Sequence, residues 1–77
     1  MSAETYRKAF SNAFPGVEEV EELEFNSIPD WDSVGHMALI SEIEDAFSIS
    51  LSTEDVMDLS SYKRGMDILR TKYFIPL

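Results

Sequence analysis

The sequence predicts an all-α domain, a small four-helix bundle of three longer helices and one short one, and three observations predict it. Apolar residues recur at helical spacing in three stretches, about 3–14, 33–47 and 62–73. Residues able to cap a helix stand before the later stretches, and Pro and Gly punctuate the chain between and after them. With 77 residues there is room for one modest core, so residues 1–77 are read as a single domain.

Tyr6, Phe10, Ala13 and Phe14 form the stripe of a first helix that stops at Pro15-Gly16. Residues 15–31 read as a long connection with a helical turn near Val17 to Leu23. Its dispersed apolar residues need burial against the helices, and Trp31 anchors its end. A second helix is expected from Ser33 to about Phe47. At about 100° per residue, His36, Leu39, Ile40, Ile43, Ala46 and Phe47 share the arc that faces the core, and Val34, Met37, Ser41, Glu44 and Asp45 share an outward one. Ser52 or Thr53 caps a short turn through Leu59, with acids suited to the positive end of the helix dipole. Ser60 or Ser61 opens a last helix with Tyr62, Met66, Leu69 and Tyr73 on its stripe and Gly65 and Ile68 adjacent. Gly65 costs that helix about 1 kcal/mol relative to Ala, which points to a close crossing there.

Composition narrows the function classes. The chain has no cysteine, so it has no thiol nucleophile, disulfide or thiolate metal site of its own. Its formal net charge of -9 argues against nucleic-acid binding, which needs a basic footprint, and favours basic partners. The six basic residues are Arg7, Lys8, Lys63, Arg64, Arg70 and Lys72, so positions 9–62 hold none, whereas thirteen of the fifteen acids fall there. The first residues lack a basic stretch followed by an apolar core, and no apolar run approaches the ~20 residues of a membrane span. A cytoplasmic monomer that does not insert into membranes is expected.

The chemistry concentrates at Trp31-Asp32-Ser33-Val34-Gly35-His36-Met37, followed by Leu39-Ile40-Ser41-Glu42-Ile43-Glu44-Asp45-Ala46-Phe47. Read alone, Asp32-Ser33 is an ordinary helix start, in which either side-chain oxygen can accept a first-turn N–H. The whole run, with the downstream Phe47-Ser48-Ile49-Ser50-Leu51 and the order of helices, resembles the phosphopantetheine attachment region of acyl carrier proteins. The resemblance implies the acyl-carrier fold over nearly the whole chain. It makes Ser33 the residue to which a separate phosphopantetheinyl transferase attaches 4′-phosphopantetheine from coenzyme A, and Asp32 the residue that assists that transfer. The protein would then be a carrier and not an enzyme, holding an acyl group as a thioester for acyl-loading and acyl-transferring enzymes with basic docking surfaces. Val34, Met37, Glu44 and Asp45 form the expected docking strip. The chain departs from the best-known fatty-acid carriers at Gly35 and Ala38, where those have acids, and looks more like stand-alone bacterial carriers of specialised pathways.

Competing readings are an aminoacyl carrier, such as a D-alanyl carrier, a peptidyl carrier, and, from another class, an unmodified acidic interaction module. Asp30, Asp32 and Gly35 match positions 1, 3 and 6 of a calcium loop, but Val34 falls where the fifth position needs an oxygen ligand and Ser41 where the twelfth needs a bidentate Glu. No metal site is expected. His36, the only histidine, reads as a packed residue and neither a ligand nor a base for Ser33.

Overall fold

In a computed structural model that describes residues 2–77, helix α1 spans Ser2–Ala13 and buries Tyr6, Ala9 and Phe10. The N–H of Phe14 still donates to the Phe10 carbonyl at 2.8 Å, after which Pro15 and Gly16, at φ +93°, turn the chain away. Helix α2 spans Ser33–Phe47, the short α3 spans Thr53–Asp58, and α4 spans Tyr62–Lys72. Between α1 and α2 a 3-10 turn, Val20–Glu22, is the only helical piece of the long connection among the described residues. The predicted order of elements is therefore observed. Among the described residues no helix is long and apolar enough to cross a membrane.

Each later helix starts on a side-chain cap. Asp32 accepts from the Gly35 N–H, Ser52 from Asp55 and Ser61 from Arg64, so one first-turn donor is satisfied in each case. Ser52 and Ser61, rather than Thr53 and Ser60, take the cap positions because they are the residues still in extended backbone before the first helical turn.

The core is aromatic. Phe10 sits between Trp31 and Tyr62, with ring centroids 5.6 and 4.7 Å away, and Phe14 lies 5.3 Å from Trp31. Leu39, Ile40 and Ile43 of α2 and Ile68 and Leu69 of α4 complete it. Burial of one such aliphatic side chain contributes about 1.5–3 kcal/mol relative to exposure. Gly65 lies where α1 crosses α4: a Cβ there would come within 2.3 Å of the Tyr6 hydroxyl. That hydroxyl donates to the Tyr62 carbonyl at 2.6 Å, and burial pushes its pKa far above the usual phenol value.

Three expected core positions differ. Ala46 is exposed, because it sits at the edge of the α2 stripe, over a shallow polar cleft against α1. On α4 the buried stripe is Tyr62, Gly65, Ile68 and Leu69, with Met66 only half-buried and Tyr73 beyond the helix at its C-cap. The long connection is held at its far end by an antiparallel exchange: Phe25 N–H donates to the Ser60 carbonyl and Tyr62 N–H to the Leu23 carbonyl, each at 2.9 Å. This pins Phe25 beside the α3–α4 junction.

Candidate functional site

Ser33 is the first residue of α2 and is exposed. Capping falls to its neighbour: Oδ1 of Asp32 accepts the Gly35 N–H at 2.8 Å, because Asp32 is extended while Ser33 is already helical. The Ser33 hydroxyl makes no side-chain hydrogen bond among the described residues, and it stands where the helix dipole and free N–H groups favour negative charge.

Gly35 has a steric reason. A Cβ there would lie 1.8 Å from the carbonyl oxygen of Asp30, so the loop crosses directly against the first turn of α2. A carboxylate side chain at this position is incompatible with that crossing.

His36 is half-buried and fully engaged. Its Nδ1 lies 2.9 Å from the indole Nε1 of Trp31, and its Nε2 lies 2.6 Å from the carbonyl oxygen of Val56 in α3. An indole N–H can only donate, so Nδ1 must accept; Nε2 then carries the proton and donates to Val56. Neither nitrogen is available to Ser33. The imidazole also lies nearly parallel to the Trp31 indole, at an interplanar angle of 13°, with Phe25 edge-on to it.

Beside Ser33 a cavity of about 420 Å³ opens between the start of α2, α3 and the Phe25 loop. Phe25, Met37, Val56, Met57 and Leu59 give it apolar walls, and Ser33, His36 and Ser60 also line it. Val34, Met37 and Met57 stand on the surface, 80%, 54% and 79% exposed, so the apolar character continues outside the opening.

The four expected docking residues do not form one strip. Val34 and Met37 stand at the Ser33 end. Asp45 is exposed but lines the cleft toward α1 with Lys8 and Glu42, about 18 Å along the helix from Ser33 at 1.5 Å per residue. Glu44 is half-buried, and its Oε2 accepts the Leu51 N–H at 2.8 Å, which makes it a brace for the α2–α3 loop. Phe25, Val56, Met57 and Leu59 were absent from the expected set. Phe25 did carry a signal, as a large apolar residue between Glu24 and Asn26 in a segment with no clear apolar stripe.

Behind the cavity wall α3 is anchored by Asp55, which is buried. Its Oδ1 accepts from Lys72 Nζ at 2.8 Å and its Oδ2 from the Tyr73 hydroxyl at 2.6 Å. The Lys72 bond, then the Tyr73 bond, hold the Asp55 carboxyl below its ordinary pKa, and the same contact raises that of Lys72. Among the described residues no group of three or more His, Cys, Asp or Glu is placed to hold a metal ion.

No family model, no curated protein and no solved structure matches this chain. The class of the protein, a small four-helix domain with an exposed serine beside an apolar cavity, is therefore defined by its own geometry.

Proposed function

We propose that this domain is an acyl carrier of the phosphopantetheine-dependent type, with Ser33 as the attachment residue. The observation that carries the reading is the Ser33 hydroxyl: exposed, spared from capping by Asp32, and at the lip of an apolar cavity. The resemblance of residues 28–47 to acyl carrier proteins supplies the chemistry. The Ser33 oxygen would attack the pantetheine-side phosphorus of coenzyme A, a P–O bond of the pyrophosphate would break, and adenosine 3′,5′-bisphosphate would leave. The proton passes to a base on the transferase, since both His36 nitrogens are committed elsewhere. The attached group supplies the thiol that a chain without cysteine lacks.

Asp32 keeps one carboxylate oxygen outside the cap bond, and the resemblance gives it the role of assisting transfer. Val34 and Met37, exposed beside Ser33, face the transferase and the enzymes that load and unload the carrier. The apolar walls of the cavity favour an acyl cargo over a polar aminoacyl one.

Incubation with coenzyme A and a broad-specificity transferase tests the reading by intact mass. One phosphopantetheine unit should be added, and Ser33→Ala should abolish the addition. A wild-type protein that stays unmodified, or a Ser33→Ala protein that is modified, overturns it and leaves the acidic interaction module.

A further inference from the structure

The two hydrogen bonds of His36 join parts of the molecule that otherwise meet weakly. Trp31 is fully buried against Phe10 and Phe14, on the α1 side of the core. Val56 belongs to α3, which with Leu59 and Met57 walls the cavity beside Ser33. Among the described residues, the contact from His36 to the Val56 carbonyl is the only hydrogen bond between α2 and α3. The remaining polar anchors of α3 all reach toward α4 and its end and none toward α2: Asp55 pairs with Lys72 and Tyr73, and Asp58 with Arg64.

We infer that His36 is a latch: through its Nε2–H tautomer, held by Trp31, it ties the middle of α3 to α2 and so sets how widely the cavity beside Ser33 opens. The tautomer is essential to the argument. With the proton on Nδ1, the ring would present a donor to the indole N–H and no donor to Val56. Losing the latch leaves α3 with polar ties to α4 and its end only, at Asp55 and Asp58, so the edge that faces α2, carrying Val56 and Met57, swings away from Met37 and Phe25. His36 is thus a positioning residue for whatever occupies the cavity. That its occupant is an acyl chain rests on the proposed function; the latch itself does not.

Three measurements test it. In the unmodified wild type, imidazole nitrogen shifts should show a protonated Nε2 and a bare, accepting Nδ1; an Nδ1–H tautomer overturns the latch, whether or not any variant folds. Native-state amide exchange should show α3, read at Val56 and Leu59, opening about tenfold faster in His36→Phe, the effect of losing one hydrogen bond of ordinary strength. Amides of α1 and α4 should stay within a factor of about two, and His36→Gln, which keeps a donor and an acceptor, should restore most of the α3 protection. Unchanged α3 exchange, or equal acceleration in all helices, overturns it. On protein loaded with an octanoyl thioester, hydroxylamine should cleave the His36→Phe form faster than the wild type; equal rates overturn the link to the cavity. The first two readings need no attached group, so they stand apart from any failure of the modification assay.

Discussion

Lys72 places its ammonium 2.8 Å from Oδ1 of Asp55, and this pair, seventeen residues apart in the chain, joins the start of α3 to the end of α4. Asp55 is the one buried charged residue among those described. Because its pKa is depressed in the folded protein, its contribution to stability is complete above the unfolded carboxylate value of about 3.9 and is lost as pH falls through the lower folded value. Thermal unfolding from pH 7 to 2 should therefore show an acid limb that Asp55→Asn flattens. At neutral pH the same variant should lose about 1–3 kcal/mol, since it weakens charge-assisted bonds to Lys72 and Tyr73. An unchanged acid limb in Asp55→Asn would place the dominant carboxylate elsewhere.

Gly65→Ala sets two effects against each other. Helix propensity favours Ala by about 1 kcal/mol. The new Cβ, however, would come within 2.3 Å of the Tyr6 hydroxyl and 3.0 Å of Leu59, and Tyr6 cannot retreat without giving up its bond to Tyr62. Overpacking costs typically about 1–3 kcal/mol, so the net effect is a lower melting temperature. A stabilised Gly65→Ala protein would show that the α1–α4 crossing relaxes freely.

Gly35→Ala should be worse, because its clash is with backbone. The Cβ would lie 1.8 Å from the Asp30 carbonyl, and relief requires moving the loop that carries Asp32. The variant should lose stability and, with a transferase and coenzyme A, modify more slowly than Gly65→Ala. Equal modification rates in both would separate the loop crossing from presentation of Ser33.

Glu44 and Asp45 are adjacent in sequence and should behave differently. Glu44→Gln weakens a charge-assisted bond to the Leu51 N–H and should cost about 1 kcal/mol in unfolding experiments. Asp45→Lys should leave stability within about 0.5 kcal/mol of wild type, as at most exposed sites. It should slow transfer from basic partners at low salt, an effect that fades as salt screens exposed charge. A transfer rate indifferent to Asp45→Lys at low salt would remove this acid from the encounter surface.

Salt should stabilise the fold. The basic residues of α1 and α4 pair with acids at the molecule's periphery, Arg7 with Glu21, Arg64 with Asp58 and Asp67, and Arg70 with Asp67, whereas α2 contains acids and no basic residue. Repulsion among the remaining acids opposes folding at a net charge of -9. Sodium chloride or millimolar magnesium should raise the melting temperature, by about 4–8 °C for each kcal/mol recovered. A flat response to both would show that the acids are already compensated.

The helices were legible because each buries large residues at a period that no other element shares: Tyr6 and Phe10, Leu39 and Ile43, Tyr62 and Leu69. Ala46 was misplaced because a methyl group gains little by burial, so its side of the helix is decided by the shape of α1 and not by its own preference. The close crossing at Gly65 could be suspected from the cost of glycine in a helix. The crossing at Gly35 could not, since its partner is a backbone carbonyl brought there by the turn before Trp31. Asp55 read as an acid suited to a helix start; its burial depends on Lys72 and Tyr73, which only the folded chain brings near. Ser33 was legible as a position, but the cavity next to it depends on Phe25 of the long connection and Val56 and Met57 of α3 arriving beside α2.

The division of tasks between Asp32 and Ser33 has a consequence for how the first turn of α2 would tolerate a substituent on the serine. Had Ser33 been the cap, any group placed on its oxygen would remove the acceptor that closes the first turn of α2, and each loading event would loosen the helix that presents it. Because Asp32 holds the Gly35 N–H, the serine oxygen can gain or lose a substituent while the turn beneath it keeps its bond. The scaffold would in this sense be indifferent to a substituent on Ser33, and the start of α2 would be the same whether the serine is bare or substituted.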